Sequence, residues 1–206
     1  MQTLREFIER NVSINDKEWA LLNSFIKTHH YKKEDSINFK NNIWTNFIYI
    51  NSGLIRSYII NEEGKEFTRQ FHFNTKESSI GNLFAVDLTS LLSQTPSCRI
   101  FEVLEDSEVF IFSKQDLNKL FNSSEKWRKI GHIVTELSYV SMDTYYNNLL
   151  TKNTKSRYLE LLQSMSELIK KVPQYHIASY LGITPVTLSR IKKEITETEK
   201  KQYKDL

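Results

Sequence analysis

The sequence predicts an α+β protein, in which an antiparallel β-roll with flanking helices is followed by a long helix and a C-terminal pair of short helices. Three observations support this class. Apolar residues recur at helical spacing before about residue 30 and again after Ser113. They alternate as in strands between about residues 35 and 113, and a glycine divides two helix-like stretches near the C-terminus.

The first thirty residues are expected to form helices. Leu4, Phe7 and Ile8 fall on one helical face. A second apolar face begins at Trp19, after a start signal at Asn15 and Asp16, and includes Leu22, Phe25 and Ile26. Two amphipathic helices are therefore predicted ahead of the roll.

The roll is predicted from the segment NFIYINSGLIRSYIINEEGKEFTRQFHF, in which β-branched and aromatic residues alternate with polar ones. Polar residues with a glycine interrupt it at 51–53 and at 62–64, and the second interruption is typical of a hairpin loop. IFEVLEDSEVFIFS is expected to form a further strand pair. Residues 35–113 are therefore predicted to form an antiparallel β-roll or jelly roll.

Helical periodicity returns at Ser113. Ser113 with Asp116, and Asn122 with Glu125, resemble capping boxes that start helices. A long apolar stripe follows, and it fits either a core-facing helix or a helix paired with its own copy. Ser141, Thr144 and Asn148 interrupt this stripe with polar groups. We favour self-pairing, and the predicted homodimer contacts are Trp127, Ile130, Ile133, Val134, Leu137 and Val140.

The segment QYHIASYLGITPVTLSRIKKE, residues 174–194, is the most informative for function. Glycine ends its first helix, because a tight helix stop needs a positive φ. Thr184 and Pro185 start the second helix as an N-cap and a first-turn proline. The helix-turn-helix consensus is matched by the spacing of four residues, namely the small Ala178, the glycine Gly182 and the apolar Leu188 and Ile191.

A helix-turn-helix predicts binding to double-stranded DNA, with the second helix in the major groove. Residues 151–206 hold 11 Lys/Arg and 6 Asp/Glu, a net charge of +5, whereas residues 1–150 have a net charge of −2. We expect Arg190 to bind a guanine edge and lysines to bind phosphates. The predicted DNA-contacting residues are Thr184, Val186, Thr187, Ser189, Arg190, Lys192 and Lys193.

A β-roll, a long helix and a C-terminal helix-turn-helix in this order resemble the cyclic-AMP receptor protein/Fnr superfamily of bacterial transcription regulators. FIYINSGLIRSYIINEEGKE is similar to the early roll hairpin of that family, and GITPVTLSRIKKE to its recognition helix. The resemblance implies a homodimer, a small-molecule effector pocket in each roll and contact with RNA polymerase. Pro185 and Val186 stand where cyclic-AMP-binding members carry arginine and glutamate, which implies a different DNA site.

At the phosphate-binding cassette, this sequence differs from the family pattern. Its glycine-glutamate-leucine element reads Gly81-Asn82-Leu83, so an amide replaces the ribose-binding carboxylate. The cassette arginine is missing at its expected place, and Arg99 is expected on the opposite strand face. Cyclic AMP is therefore not expected as the effector. The candidate lining residues for a degenerate pocket are Gly81, Asn82, Leu83, Phe84, Ser97 and Arg99.

Composition argues against other classes of protein. No apolar run is long enough for a membrane span, and the N-terminus lacks a signal-peptide pattern, so a cytoplasmic protein is expected. Cys98 is the single cysteine. The five histidines are scattered, so neither a metal, a cofactor nor an enzymatic activity is predicted. A jelly-roll metal enzyme or a protein-interaction module is the alternative. The predicted divisions are 1–113 for the roll with its N-terminal helices, 114–150 for the linking helices and 151–206 for DNA binding.

Overall fold

A computed structural model describes residues 3–38, 42–76 and 78–202. Its first elements are the two predicted helices, α1 (Leu4–Glu9) and α2 (Asp16–Ser24). Thr3 and Asn15 each begin a helix with a capping box, whose partners are Glu6 and Glu18. Both boxes satisfy backbone N–H groups that a helix start leaves unpaired.

Within the described ranges, six strands form one antiparallel sheet: β1 (Lys27–Tyr31), β2 (Ser36–Asn38), β3 (Asn46–Ile60), β4 (Glu66–Phe73), β5 (Phe84–Ala85) and β6 (Ile100–Ser113). The strand order is β1-β6-β3-β4, with β2 also on β6 and β5 also on β3. The prediction of helix up to residue 30 is wrong at its end, because β1 already begins at Lys27. Four of the five β1 residues are exposed, so this strand lacks the apolar alternation that identifies a strand in a sequence.

The two expected interruptions of the hairpin segment differ in nature. The turn between β3 and β4 is confirmed, with Gly64 at φ 81° and the Asn61 N–H bonded to the Lys65 carbonyl. At residues 51–53, by contrast, β3 continues through a shift in its register with β6. Gly53 has φ 95°, and a Cβ there would lie 2.2 Å from the Ser107 hydroxyl oxygen. This glycine serves a bulge, not a strand end.

The expected strand pair at 100–113 is likewise one strand, β6. Its two halves pair with different neighbours, β2 at residues 100–102 and β1 at residues 107–111. The polar residues between these halves mark the change of partner and gave the appearance of a turn.

Helices complete the chain: α3 (Ile80–Leu83), α4 (Leu88–Ser93), α5 (Lys114–Ser123), α6 (Glu125–Thr151), α7 (Thr154–Ser164), α8 (Ser166–Ile169), α9 (Gln174–Leu181) and α10 (Pro185–Gln202). Ser113 caps α5, where its hydroxyl accepts from the Asp116 N–H at 3.0 Å, as predicted. The cap predicted at Asn122 is wrong, because that residue lies in the last turn of α5 and Ser124 caps α6 instead.

Three groups of buried side chains hold these elements together. One lies inside the roll around Trp44 and Phe101, and a second joins α1, α2, α5 and the start of α6 around Trp127. The third packs Phe71 and Phe73 of β4 against the C-terminal helices, including Ile177 of α9. The C-terminal helices therefore share a core with the hairpin of the roll.

Candidate nucleic-acid interface and effector cavity

The C-terminal helices form the predicted helix-turn-helix. Gly182 ends α9 with φ 73°, and the Ile183 N–H reaches back to the Ala178 carbonyl at 3.0 Å. This is the bonding expected of a glycine-terminated helix. At the start of α10, the Thr184 hydroxyl accepts from the Thr187 N–H at 3.2 Å. Side chains at the motif's apolar positions are buried between the helices: Ile177, Ala178, Leu181, Leu188 and Ile191.

The outer face of α10 is free of packing. Six of the seven predicted DNA-contacting residues are exposed there; Thr187 is half-buried, with its hydroxyl 3.0 Å from that of Thr184. Arg190 forms no ion pair with any residue that the structure describes. Lys192 donates to the Gln174 side chain on α9 at 2.9 Å. One stripe along the helix, at spacings of three and four, consists of Val186, Ser189, Arg190 and Lys193.

The first helix of the motif is attached to the edge of the sheet. β4 ends the strand order, so one side of its backbone has no strand neighbour in that order. The Ser179 hydroxyl of α9 accepts from the Thr68 N–H and donates to the Glu66 carbonyl, both at 2.9 Å. One side chain thus satisfies an outward donor and an outward acceptor of β4.

A buried arginine lies beside this attachment. Arg56 is 3% exposed and pairs with the carboxylates of Glu66 at 2.6 Å and Glu102 at 2.5 Å. His176 of α9 is also buried, and burial, with the positive charge of Arg56, lowers its pKa to about 4. Sequence reasoning missed these residues. A lone arginine in an apolar strand was the available signal, but its partners are distant in the chain.

A polar cavity of about 110 Å³ lies between β4, α3 and α6. Three of the six predicted pocket residues, Gly81, Phe84 and Arg99, line it. β4 and α6 add polar groups that the sequence analysis did not include, namely Arg69, Gln70, His72, Ser138, Ser141 and Tyr145.

The other three predicted pocket residues are used elsewhere in the structure. The Asn82 amide donates to the Phe71 carbonyl at 2.8 Å, while its oxygen accepts from the Ser79 N–H at 3.0 Å. Leu83 is 2% exposed in the core. Ser97 is buried and donates to Asp87 at 2.8 Å. These three residues therefore do not line this cavity, because local capping and packing use their side chains.

The expected orientation of Arg99 is also wrong. It precedes β6, which begins at Ile100, so the alternation of strand faces does not apply to it. Its guanidinium donates to the Val86 carbonyl at 3.3 Å and lies 3.6 Å from Asp87. Burial lowers the Arg99 pKa, opposed by the negative charge of Asp87.

His72 supplies a neutral polar group to the same cavity. One ring nitrogen is 3.1 Å from the Gly81 carbonyl and the other is 3.0 Å from the Ser57 hydroxyl. Complete burial, together with the charge of Arg99, lowers the His72 pKa to about 3. The wall therefore combines two arginines, one of them beside Asp87, with uncharged hydrogen-bonding groups and apolar side chains such as Val86 and Met142. The arginines suit a small anion.

Part of the predicted dimer stripe is used within the chain. Trp127 and Ile130 are 1% and 8% exposed in the core with α1, α2 and α5, so they cannot contact a second copy in this arrangement. Val134 packs there too, and Ile133 is half-buried. Leu137 and Val140 are exposed. The prediction assumed that the stripe has no packing partner within the chain. In the structure, α1, α2 and α5 bury its first half.

A different apolar row, the α6 stripe, remains exposed on the second half of the helix. Its members are Tyr139, Met142, Tyr146 and Leu149, at 68%, 58%, 58% and 45% exposure. They recur at alternating spacings of three and four residues, which is the heptad pattern of helices that pair with each other.

Two other classes of site were considered within the described ranges. None of the helices there is long and apolar enough to cross a membrane. The same residues hold no group of three or more His, Cys, Asp or Glu side chains placed to bind a metal ion.

Comparison with known proteins gives matches in structure only. The sequence matches no protein-family model, and a search among curated proteins gives no match. The c-di-GMP-responsive global regulator CLP of Xanthomonas campestris is 14% identical, with a TM-score of 0.67 over 90% of this chain and 93% of that chain. FixK2 of Bradyrhizobium japonicum is 16% identical, with a TM-score of 0.66 over 84% and 86%.

The roll also matches by itself. A cyclic nucleotide-binding domain from Methylobacillus flagellatus is 10% identical, with a TM-score of 0.57 over 71% of this chain and 81% of that chain. A regulator assigned to the crp/fnr family from Eubacterium rectale is 19% identical, with a TM-score of 0.64 over 90% of this chain and 85% of that chain. The chain therefore has the Crp/Fnr fold, in which a cyclic-nucleotide-binding-like roll is joined through a long helix to a C-terminal helical region.

Proposed function

We propose that the protein is a sequence-specific, DNA-binding transcription regulator, with residues 151–206 as its DNA-binding part. The observation that carries the proposal is the exposed face of α10, whose opposite face is packed on α9. A helix held in this way can enter the major groove without losing its core contacts. Toward its N-terminal end the free face carries hydroxyl and cationic side chains beside Val186, as DNA contacts require, while Glu194 and Glu197 lie farther along the helix.

Six of the seven predicted DNA-contacting residues have an individual proposed role, and Val186 lies beside them on the exposed face. Arg190 reaches a guanine edge with two parallel hydrogen bonds, since its guanidinium is free of described carboxylates. Lys192 and Lys193 contact phosphates, as do Thr187 and Ser189 through their hydroxyls. Thr184 holds the start of α10, where backbone N–H groups also face a phosphate.

The active form is proposed to be a homodimer. The α6 stripe is apolar, exposed and in heptad register, so a second copy of α6 is its proposed partner. A two-fold dimer would present two recognition helices to half-sites about one DNA turn apart. RNA polymerase is a further proposed partner, through which DNA binding would change transcription.

The polar cavity is proposed to hold a small anionic effector. Arg69 and Arg99 would bind its negative charge, while Ser138 and Ser141 would bring it against α6. CLP responds to c-di-GMP, so cyclic nucleotides form a reasonable first panel of probes. Asn82 offers no carboxylate for a ribose, which argues against cyclic AMP as the physiological member of that panel.

Selection of a binding site from random duplexes, followed by titration of Arg190→Ala, tests the proposed function. Loss of a bidentate base contact costs about 1–3 kcal/mol, or roughly 5- to 150-fold in affinity per half-site. The matched control is Lys17→Ala, which also removes one exposed positive charge but lies on α2. The control should bind as the parent does, and parental binding should weaken steeply as salt rises.

Two results would contradict the proposal. Unchanged operator affinity in Arg190→Ala would remove this residue from base recognition. Failure to enrich any sequence, with a flat response to salt, would favour a protein-interaction module instead.

A further inference from the structure

A second cavity, of about 180 Å³, adjoins the polar one, with which it shares the lining residues Phe84, Leu88 and Ser138, but its lining is more apolar. It is lined by residues of α1, α2, α4, α5 and α6 together with strands of the roll, and it is open at one end. The walls are almost entirely leucine, isoleucine, phenylalanine and valine side chains. Protein interiors contain few voids of this size, and apolar voids stay dry and accept apolar ligands.

The two ends of this apolar cavity differ. Its closed end is formed by buried side chains, including Leu4, Ile8 and Trp127 at 5%, 3% and 1% exposure. Its open end carries Leu92, which is 67% exposed, and the exposed polar residue Asn118. A ligand would therefore enter past Leu92 and extend toward Trp127.

Among the described residues that line this cavity, one is a cation. Lys114 is half-buried in the lining, and its ammonium donates to the Leu91 carbonyl at 2.8 Å. Among the residues that the structure describes, it forms no ion pair. An ammonium has three N–H donors, so a ligand carboxylate can bind beside this carbonyl. An apolar chamber with one lysine in its lining fits an aliphatic acid, tail inward.

We propose that this cavity binds a medium-chain aliphatic carboxylate, with its head on Lys114 and its tail against Trp127. The size is close to that of an engineered cavity of about 150 Å³ that holds benzene, so the acyl chain must be short. Trp127, Val134 and Ser138 of α6 all line the cavity. The ligand would thus contact the helix that carries the proposed dimer stripe, at a site that adjoins the polar cavity through Phe84, Leu88 and Ser138.

The test uses the full chain without DNA, so its outcome is independent of the proposed function. Octanoate carrying bromine on its last carbon is titrated below its micelle concentration, and octanol is the uncharged comparison. Bromine at the closed end should quench the emission of Trp127 saturably. Trp127→Phe should lose this quenched component, since Trp19 and Trp44 do not line the cavity.

Two variants separate head from tail. Lys114→Met should weaken acid binding by roughly tenfold and leave octanol unchanged, since only a charge-assisted contact is lost. Val134→Phe should fill the cavity and abolish binding of both probes. The proposal is overturned by an absence of saturable quenching in the parent, or by an unchanged acid affinity in Lys114→Met. Parental affinity in a folded Val134→Phe overturns it as well; if that variant does not fold, Lys114→Met decides.

Discussion

Removing the Ser179 hydroxyl should loosen the helix-turn-helix from the roll without disturbing either part. In Ser179→Ala, the Thr68 N–H and the Glu66 carbonyl lose their shared partner. Thr68 is 3% exposed, so water does not readily replace the hydroxyl at its amide. Alanine is a good helix former, and α9 itself should therefore persist.

The magnitude follows from these two hydrogen bonds. A buried donor left unpaired costs about 1–3 kcal/mol, and this is the larger effect here. The Glu66 carbonyl is less costly, because its residue is exposed and water can reach it. The closed arrangement should weaken by about 1–3 kcal/mol, so the Thr68 amide should exchange its hydrogen roughly 5- to 150-fold faster.

Native-state hydrogen exchange measured on peptides from β4 is the assay. Ser164→Ala is the matched control, since the Ser164 hydroxyl bonds only carbonyls of its own helix. That control should leave exchange in β4 unchanged. If Ser179→Ala also left it unchanged, the hydroxyl bridge would not be what holds α9 on the strand edge.

Three further outcomes are expected. Replacing Tyr139 and Tyr146 together by lysine should give monomers at micromolar concentration in sedimentation velocity, and a persistent dimer would contradict the α6 stripe. Calorimetry should show cyclic AMP binding weakened by about one to two orders of magnitude relative to a complete cassette, because Asn82 removes the carboxylate contact whereas Arg99 lines the cavity. Micromolar affinity would defeat this argument. The free energy of unfolding should fall as pH drops from about 6.5 toward 4, by up to about 1.4 kcal/mol per pH unit for each buried histidine. The unfolded chain takes up protons there, whereas His72 and His176, with pKa values of about 3 and about 4, stay neutral when folded; urea denaturation between about pH 7 and 5 measures the slope.

Much of the fold could be predicted from the sequence, because many of its features depend on neighbouring residues. The helix-turn-helix could be predicted because Gly182 and Thr184 act on their own neighbours, through a positive φ and an N-cap. The turn at Asn61 could be predicted for the same reason. Features that depend on distant partners could not. Nothing near Lys27 marks β1, because an exposed strand has no apolar alternation and its existence depends on β6, about eighty residues later.

The candidate sites show the same division. Helical periodicity placed Arg190 correctly on the outer face of α10. Asn82, by contrast, was assigned to the pocket because it stands where the family's cassette has its glutamate. Its amide instead caps α3 and bonds β4, which only the folded geometry reveals. Trp127 illustrates the matching difficulty for interfaces. An apolar stripe indicates that this face of the helix is buried. Whether α1 or a second chain buries it depends on tertiary packing.

The geometry also indicates how an effector in the polar cavity would reach the DNA-binding helices. One route follows α6, where Tyr145 lines the cavity and its ring lies 6.1 Å from that of Tyr180 on α9. A shorter route follows β4, because Arg69 lines the cavity and is the immediate neighbour of Thr68, whose N–H bonds α9. A ligand that moves Arg69 toward the cavity would act one residue away from the Thr68–Ser179 hydrogen bond. Along α6, a shift would have to pass through the contact between the rings of Tyr145 and Tyr180. If an effector binds there, the strand edge, more than the long helix, is where its binding and the position of α9 would be most directly connected.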